Sequence, residues 1–241
     1  MGPIFRLFGR STQLVCVTLA GFLGFSAGTA FASDDCQTAP TSGIDWQNCD
    51  KTMLMLPQSD LSSAKLAGSD FSSTDLRSSN LTGANLEKAT LVRANLSGTT
   101  AKGAHFAKVE AYRTDFSRID APGADFQNAE LQRSDFKQAK LAKADFTKAD
   151  MGRSQFDGAD VSGSRFTLAN VSRVDFRGAT FAAPVDFDRA FFFLTRIEGV
   201  DLGKATGLVQ WQLDMACGDD KTVLPAGLTK PKSWPCQFQQ E

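Results

Sequence analysis

The sequence has one histidine, His105, and nothing placed to give it a catalytic partner. No nucleophile motif, glycine-rich phosphate loop or metal-spaced cysteine–histidine cluster occurs along the chain. These absences argue against an enzyme, a bound metal and a cofactor. Neither charge sign dominates: 26 basic residues stand against 27 acidic, a net charge of −1. That balance supplies neither a nucleic-acid-binding basic surface nor an extreme acidic one. Large aliphatic residues are thin for a 241-residue chain, and alanine and serine supply much of the small-residue content. An ordinary globular core would be poorly filled.

Long apolar runs are also missing, with one exception near the start. Arg6 and Arg10 form a positive region, "LVCVTLAGFLGF" is apolar, and "AFA" (Ala30 to Ala32) fits the small-x-small pattern of a cleavage site. The run is short for a membrane span and broken by glycines. Residues 1–32 therefore read as a signal peptide cleaved after Ala32, with the mature chain periplasmic or secreted; a retained anchor is the alternative. No lipobox-like triplet precedes Cys16 or Cys36. Cleavage leaves 24 basic residues against 27 acidic, a net charge of −3. Four cysteines remain, Cys36, Cys49, Cys217 and Cys236, an even count that favours disulfides in an exported chain. Three pairings are open at this point.

What the sequence does have is a rhythm. In "ADFQNAELQRSDFKQAKLAKADF" (residues 124–146) phenylalanine returns every ten residues, with an aliphatic residue midway and a small residue two places before each. Five residues advance about 500° on an α-helix, so these positions would form no stripe. On a strand, odd spacing puts successive ones on opposite faces. The central residues run from Leu56 or Leu61 unbroken through Phe71, Leu91 and Phe126 to Phe181. After one inserted residue near Pro184 they resume at Phe187, Phe192, Ile197 and Leu202.

Units such as "ANLEK", "ANLSG", "ADFQN" and "ADFTK" resemble the pentapeptide-repeat family, whose pattern is A(D/N)LXX with Leu or Phe central. The resemblance covers roughly residues 50–205. It implies an all-β solenoid, a right-handed quadrilateral β-helix of about seven or eight coils, four units to a coil, with central and small residues inward. Such a coil puts Phe106, Phe126, Phe146 and Phe166 on one face and Phe116, Phe136, Phe156 and Phe176 on the opposite one. Ala121, Leu141 and Val161, or Leu131, Met151 and Val171, take the other two. Where a central residue is small, as at Ala111 and Ala121, Val109 and Ile119 stand two places before and roughly conserve volume.

The segments read as signal peptide (1–32), N-terminal cap (33–50, with Trp46), repeat helix (51–205) and C-terminal cap (206–241). In the last, "GLVQWQLDMACG" reads as a short helix closed by Gly218, followed by "LPAGL" and Trp234. The tail is similar to an extension on many bacterial family members, although Val209 replaces the usual helix-start threonine. In the implied fold, seven or eight coils put the two ends about 35 Å apart, beyond disulfide reach. The resemblance therefore implies Cys36–Cys49 and Cys217–Cys236, one structural staple per cap.

Two features are not explained by packing. Arg93, Arg113, Arg133, Arg153 and Arg173 recur every twenty residues at one outward corner. Neighbours about 4.8 Å apart repel by roughly 0.9 kcal/mol even at water's dielectric. With Glu110, Glu130 and Asp150 on one side and Asp115, Asp135 and Asp175 on the other, the column reads as a self-neutralising ladder of weak ion pairs. Alternatively it is an anion-binding stripe for a phosphorylated or carboxylated envelope polymer, or a protein interface. The second feature is "FFFL": with Phe192 inward, Phe191, Phe193 and Leu194 face out, to be covered by the tail through Trp211 and Leu213 or by a second copy of the chain.

The leading expectation is a non-enzymatic exported scaffold of the bacterial envelope that presents rigid faces to a protein or an anionic polymer. Nucleic acid is not expected as a partner, no membrane span remains after processing, and a homodimer is possible. The family supplies a second class, DNA mimics that bind topoisomerases; the export signal and the interspersed lysines and arginines oppose it. Ice binding would want a regular threonine array, and Thr147 with Thr167 is the longest run.

Overall fold

The computed structural model describes residues 34–236. The expected signal peptide lies outside them. Among the described residues no helix is long and apolar enough to cross a membrane.

The five-residue units from Trp46 to Gly178 share one conformation. A small residue points inward, the next residue points outward and bridges to the coils on either side, and the central residue points inward. Two turn residues follow, and a backbone hydrogen bond closes the turn, as from Ala129 N–H to the Phe126 carbonyl (3.1 Å). The last turn residue has left-handed φ, for example 58° at Arg113 and 57° at Gln138. Left-handed backbone costs an L-residue about 1–2 kcal/mol, so the fold must return it through stacking.

Stacking is parallel and in register. Bridges join residues twenty apart, from Asp45 with Lys65 through Asp125 with Asp145 to Asp160 with Thr180. Phe126 N–H donates to the Asp145 carbonyl (2.7 Å) and Asp145 N–H to the Ala124 carbonyl (3.0 Å). Across the insertion near Pro184 the spacing becomes twenty-one, as between Arg165 and Asp186.

The two phenylalanine columns fill the bore as the register requires. Down one column the rings of Phe106, Phe126, Phe146, Phe166 and Phe187 lie parallel with centroids 4.7–5.1 Å apart. Across the bore they meet the other column edge-to-face, as Phe126 meets Phe136 at 5.9 Å and 88°. Both arrangements suit the aromatic quadrupole. Ala111 and Ala121 are buried together with Val109 and Ile119.

Inward serines and threonines are more than small. The hydroxyls of Thr99, Thr114, Ser134, Ser154 and Ser164 each donate to a backbone carbonyl 23 residues earlier, at 2.6–2.9 Å. They form a polar staple between coils inside an apolar bore.

Winding begins inside the segment that periodicity leaves as a cap. Asp45 and Asp50 already bridge to the next coil, and Trp46 and Lys51 occupy central inward positions. Lys51 is 5% exposed; its ammonium stands 3.5 Å from the Trp46 ring centroid and donates to the Cys36 carbonyl at 2.5 Å. The cap proper is the short 3₁₀ turn Asp34–Gln37 and the residues up to 40, tied down by Cys36–Cys49.

At the other end the helix Gln210–Met215 forms despite Val209. Buried Gln212 replaces the missing cap: its Oε1 accepts from Val209 N–H, and its Nε2 donates to the carbonyls of Phe187 and Ala190. Gly218 does not close this helix, which ends at Met215 with Ala216 at its cap. Gly218 is needed for another reason: a Cβ there would sit 2.4 Å from the Trp234 ring, which the Cys217–Cys236 disulfide holds in place. Trp234 Nε1–H donates to the Ala216 carbonyl at 2.7 Å.

Truncating Phe136 to Ala removes one ring from its own stack, together with its edge contacts to Phe126 and Phe146 in the facing one, and is expected to cost about 3–5 kcal/mol. Ser134→Ala, which leaves a side chain that neighbouring units already use, is expected to cost only about 1 kcal/mol. Urea unfolding of the two variants checks the ratio.

Candidate functional site

One face and its corner gather the unusual side chains. Central residues Leu91, Ala111, Leu131, Met151 and Val171 back this face from inside. Glu110, Glu130 and Asp150 bridge along its outer surface, and Arg93, Arg113, Arg133, Arg153 and Arg173 end its turns. All five arginines are exposed, with φ between 57° and 65°.

The column does not neutralise itself. Among the described residues, no carboxylate lies within 4.0 Å of any of the five guanidinium groups; the ion pairs form elsewhere, for example Arg165 with Asp145 at 2.8 Å. Of the expected partners, the four aspartates are engaged with their own turns, while Glu110 and Glu130 are exposed at their bridge positions. Asp115 accepts from Ser117 N–H and Asp135 from Lys137 N–H, both at 2.8 Å. Asp150 accepts from Gly152 N–H, Gln132 Nε2 and Asn170 Nδ2. Asp175 is taken by Arg177, two residues on, at 2.7 Å. A carboxylate one residue before a turn caps that turn's N–H groups in preference to reaching a neighbouring corner.

Aromatic rings bracket the column. Tyr112 lies 5.2 Å from the Arg113 guanidinium and 5.9 Å from that of Arg133, and Phe193 lies 5.9 Å from that of Arg173. Sequence reasoning missed Tyr112; the available signal was its position directly before Arg113, the same turn position that Phe193 takes one coil beyond Ser172.

The tail leaves the "FFFL" patch open. Leu213 turns inward and is buried, while Trp211 stays 48% exposed. Phe191 and Phe193 stack on each other at 6.4 Å and remain 47% and 43% exposed. Leu194 is half-buried, and its N–H donates to the Met215 carbonyl. The helix extends the bore rather than folding down over the face, because Gln212 bolts it to the last coil.

His105 is exposed between Asn85 and Asp125 on another face. Among the described residues no group of His, Cys, Asp and Glu side chains is placed to hold a metal ion.

The family description "Pentapeptide repeats (8 copies)" matches this chain in overlapping stretches that together cover residues 56–182, more than half of it. The chain is a pentapeptide-repeat protein. Its fold is the right-handed quadrilateral β-helix of that family. Solved structures similar to it include HetL from Nostoc sp. strain PCC 7120, a pentapeptide-repeat protein involved in heterocyst differentiation regulation. The two share 21% identity over 79% of this chain and 90% of HetL, with a TM-score of 0.37. QnrB1, a plasmid-mediated fluoroquinolone resistance protein, shares 17% identity over 77% of this chain and 84% of its own, with a TM-score of 0.43. A pentapeptide-repeat protein of the Arabidopsis thaliana thylakoid lumen shares 26% identity over 52% and 69%, with a TM-score of 0.26. No curated protein sequence matches the chain.

This pentapeptide-repeat protein carries both disulfides closed, Cys36–Cys49 and Cys217–Cys236, with Cα atoms 5.5 Å and 5.3 Å apart. That chemistry suits an oxidising compartment.

Two of its acids report on acid stability. Hydrogen bonds from the Arg77 guanidinium outweigh burial and hold the Asp75 carboxyl below the ordinary carboxylate value. Burial would raise Asp175, but hydrogen bonds from Arg177 and the charges of Arg177 and Arg196 hold it below as well. A folded pKa below the unfolded one adds stability above about pH 4 that is lost as pH falls through the folded value. Stability measured by urea unfolding is expected to drop below about pH 4, and Asp175→Asn to flatten that drop.

Proposed function

We propose that the chain is a non-enzymatic, exported scaffold of the bacterial envelope whose arginine column holds a linear anionic polymer along the solenoid axis. The observation that carries this reading is that, among the described residues, no carboxylate lies within 4.0 Å of the column, although acids of both flanking columns stand beside it in sequence. Five like charges at stacking distance are kept exposed and unpaired, an arrangement that an external anion relieves. Arginines on successive coils, whose backbones are about 4.8 Å apart, offer bidentate contacts to carboxylate or phosphate groups repeated along a chain. Export to the periplasm or beyond rests on the signal-like residues 1–32 and agrees with the two closed disulfides.

The alternative is a topoisomerase-binding DNA mimic, for which the family supplies the precedent. A column of unpaired arginines has the wrong sign for imitating a phosphate backbone, and this disfavours it. Gyrase supercoiling assays with the protein added separate the two, since a mimic protects and a polyanion scaffold does not.

The direct test is binding to polygalacturonate and to polyphosphate at two salt concentrations, with a variant carrying all five column arginines as glutamine. The unaltered protein is expected to bind, more weakly at high salt, and the variant to lose binding. Equal binding by both proteins would overturn the reading.

A further inference from the structure

The column is not uniform along its length. The first turn residue on this face carries a side chain at Tyr112, Gln132, Ser172 and Phe193, but at one coil it is Gly152. The missing side chain opens a shallow depression of about 360 Å³, lined by Arg133, Arg153 and Arg173 together with Gln132, Asn170 and Ser172. Gly152 is not required by the backbone. Its φ is ordinary, and a Cβ would meet Asp150 Oδ1 at 3.5 Å and the Ser172 carbonyl at 3.9 Å, both normal contacts. The notch is a feature of the surface, not a condition of the fold.

Three arginines one coil apart converge on it, and the next coil adds an apolar wall. Asn170 bridges to Phe191, Arg173 N–H donates to the Phe193 carbonyl, and the Phe193 ring lies 5.9 Å from the Arg173 guanidinium. The one acid in the notch, Asp150, is occupied by three hydrogen bonds from Gly152, Gln132 and Asn170. Those three donors offset part of its charge where it lines the notch.

We infer that the Gly152 notch is a subsite for a phosphate monoester whose organic part is apolar or aromatic. This rests on the anion-binding reading of the column. A carboxylate satisfies one guanidinium fork, whereas a tetrahedral dianion presents three oxygens to three guanidinium groups and balances more of their charge. Phe193 and Phe191 then cover the ester's organic group, which a free phosphate lacks. A membrane surface fits less well, because Glu110, Glu130 and Asp150 run down the same face.

The test uses isothermal titration of the protein with phenyl phosphate, inorganic phosphate and vesicles containing phosphatidic acid. The unaltered protein is expected to bind phenyl phosphate more tightly than inorganic phosphate. Gly152→Gln fills the notch without removing an arginine and is expected to weaken phenyl phosphate about tenfold, the scale of one lost charge-assisted hydrogen bond, with an unchanged unfolding midpoint. Phe193→Ala is expected to abolish the preference for the ester and leave inorganic phosphate unaffected. Phenyl phosphate bound no more tightly than inorganic phosphate, an unaffected Gly152→Gln variant, or binding to vesicles alone would each overturn the inference. If the column reading itself fails, the unaltered protein binds no polyanion; if only this inference fails, polygalacturonate still binds while the ester shows no preference.

Discussion

The structure depends on one closure condition: the chain returns to the same place after twenty residues and hydrogen-bonds to itself about one strand spacing higher. Parallel bridges at that spacing run from Asp45 to Thr180 with no slip. Every side chain therefore sits on a residue from the same position of the preceding coil. Inside, like on like is favourable: phenylalanine rings stack in parallel at 4.7–5.1 Å and meet the facing column edge-on. Outside, the same rule piles arginine on arginine, where it costs energy. A single geometric constraint thus stacks aromatic rings favourably in the bore and like charges unfavourably at one outer corner.

The ends obey the same constraint in reverse. A coil with no neighbour leaves its bore and its backbone edge open, so each end is closed by residues that would be misfits elsewhere. At the start, a lysine occupies a central position because Trp46 and the Cys36 carbonyl receive its ammonium. At the finish, buried Gln212 serves two carbonyls of the last coil and starts the helix at once. Each cap carries its own disulfide, so neither pairing has to span the solenoid.

The interior of the fold was legible because the bore tolerates little beyond Leu, Phe and small residues, and that restriction repeats every five positions. The volume exchange at Ala111 with Val109 follows from it; the facing phenylalanine columns and the disulfide pairing needed in addition the four-unit coil that the family resemblance implies. Trp46 was not legible as a coil residue, nor Lys51 as a central inward one, because both positions are made acceptable by a cap that the repeat does not describe. Serine at an inward position reads simply as small; that Ser134 also staples Ala111 becomes visible only once residues 23 apart are adjacent. The arginine column could be read as a column, but not as unpaired, since that depends on Asp115 and Asp135 turning back to cap their own turns. Gly218 resembles a helix stop in sequence and is instead a clearance for Trp234.

The claim beneath all of this is the twenty-residue winding. Spin labels at Gln47 and Gln127, eighty residues apart and on one outer face, test it by electron–electron dipolar distance measurement. Four coils place those two backbones about 19 Å apart, and a narrow distribution near that value, widened only by the labels, is expected. A broad distribution, or one centred far beyond it toward the 120 Å or so that eighty helical residues would span, would contradict the fold and everything built on its columns.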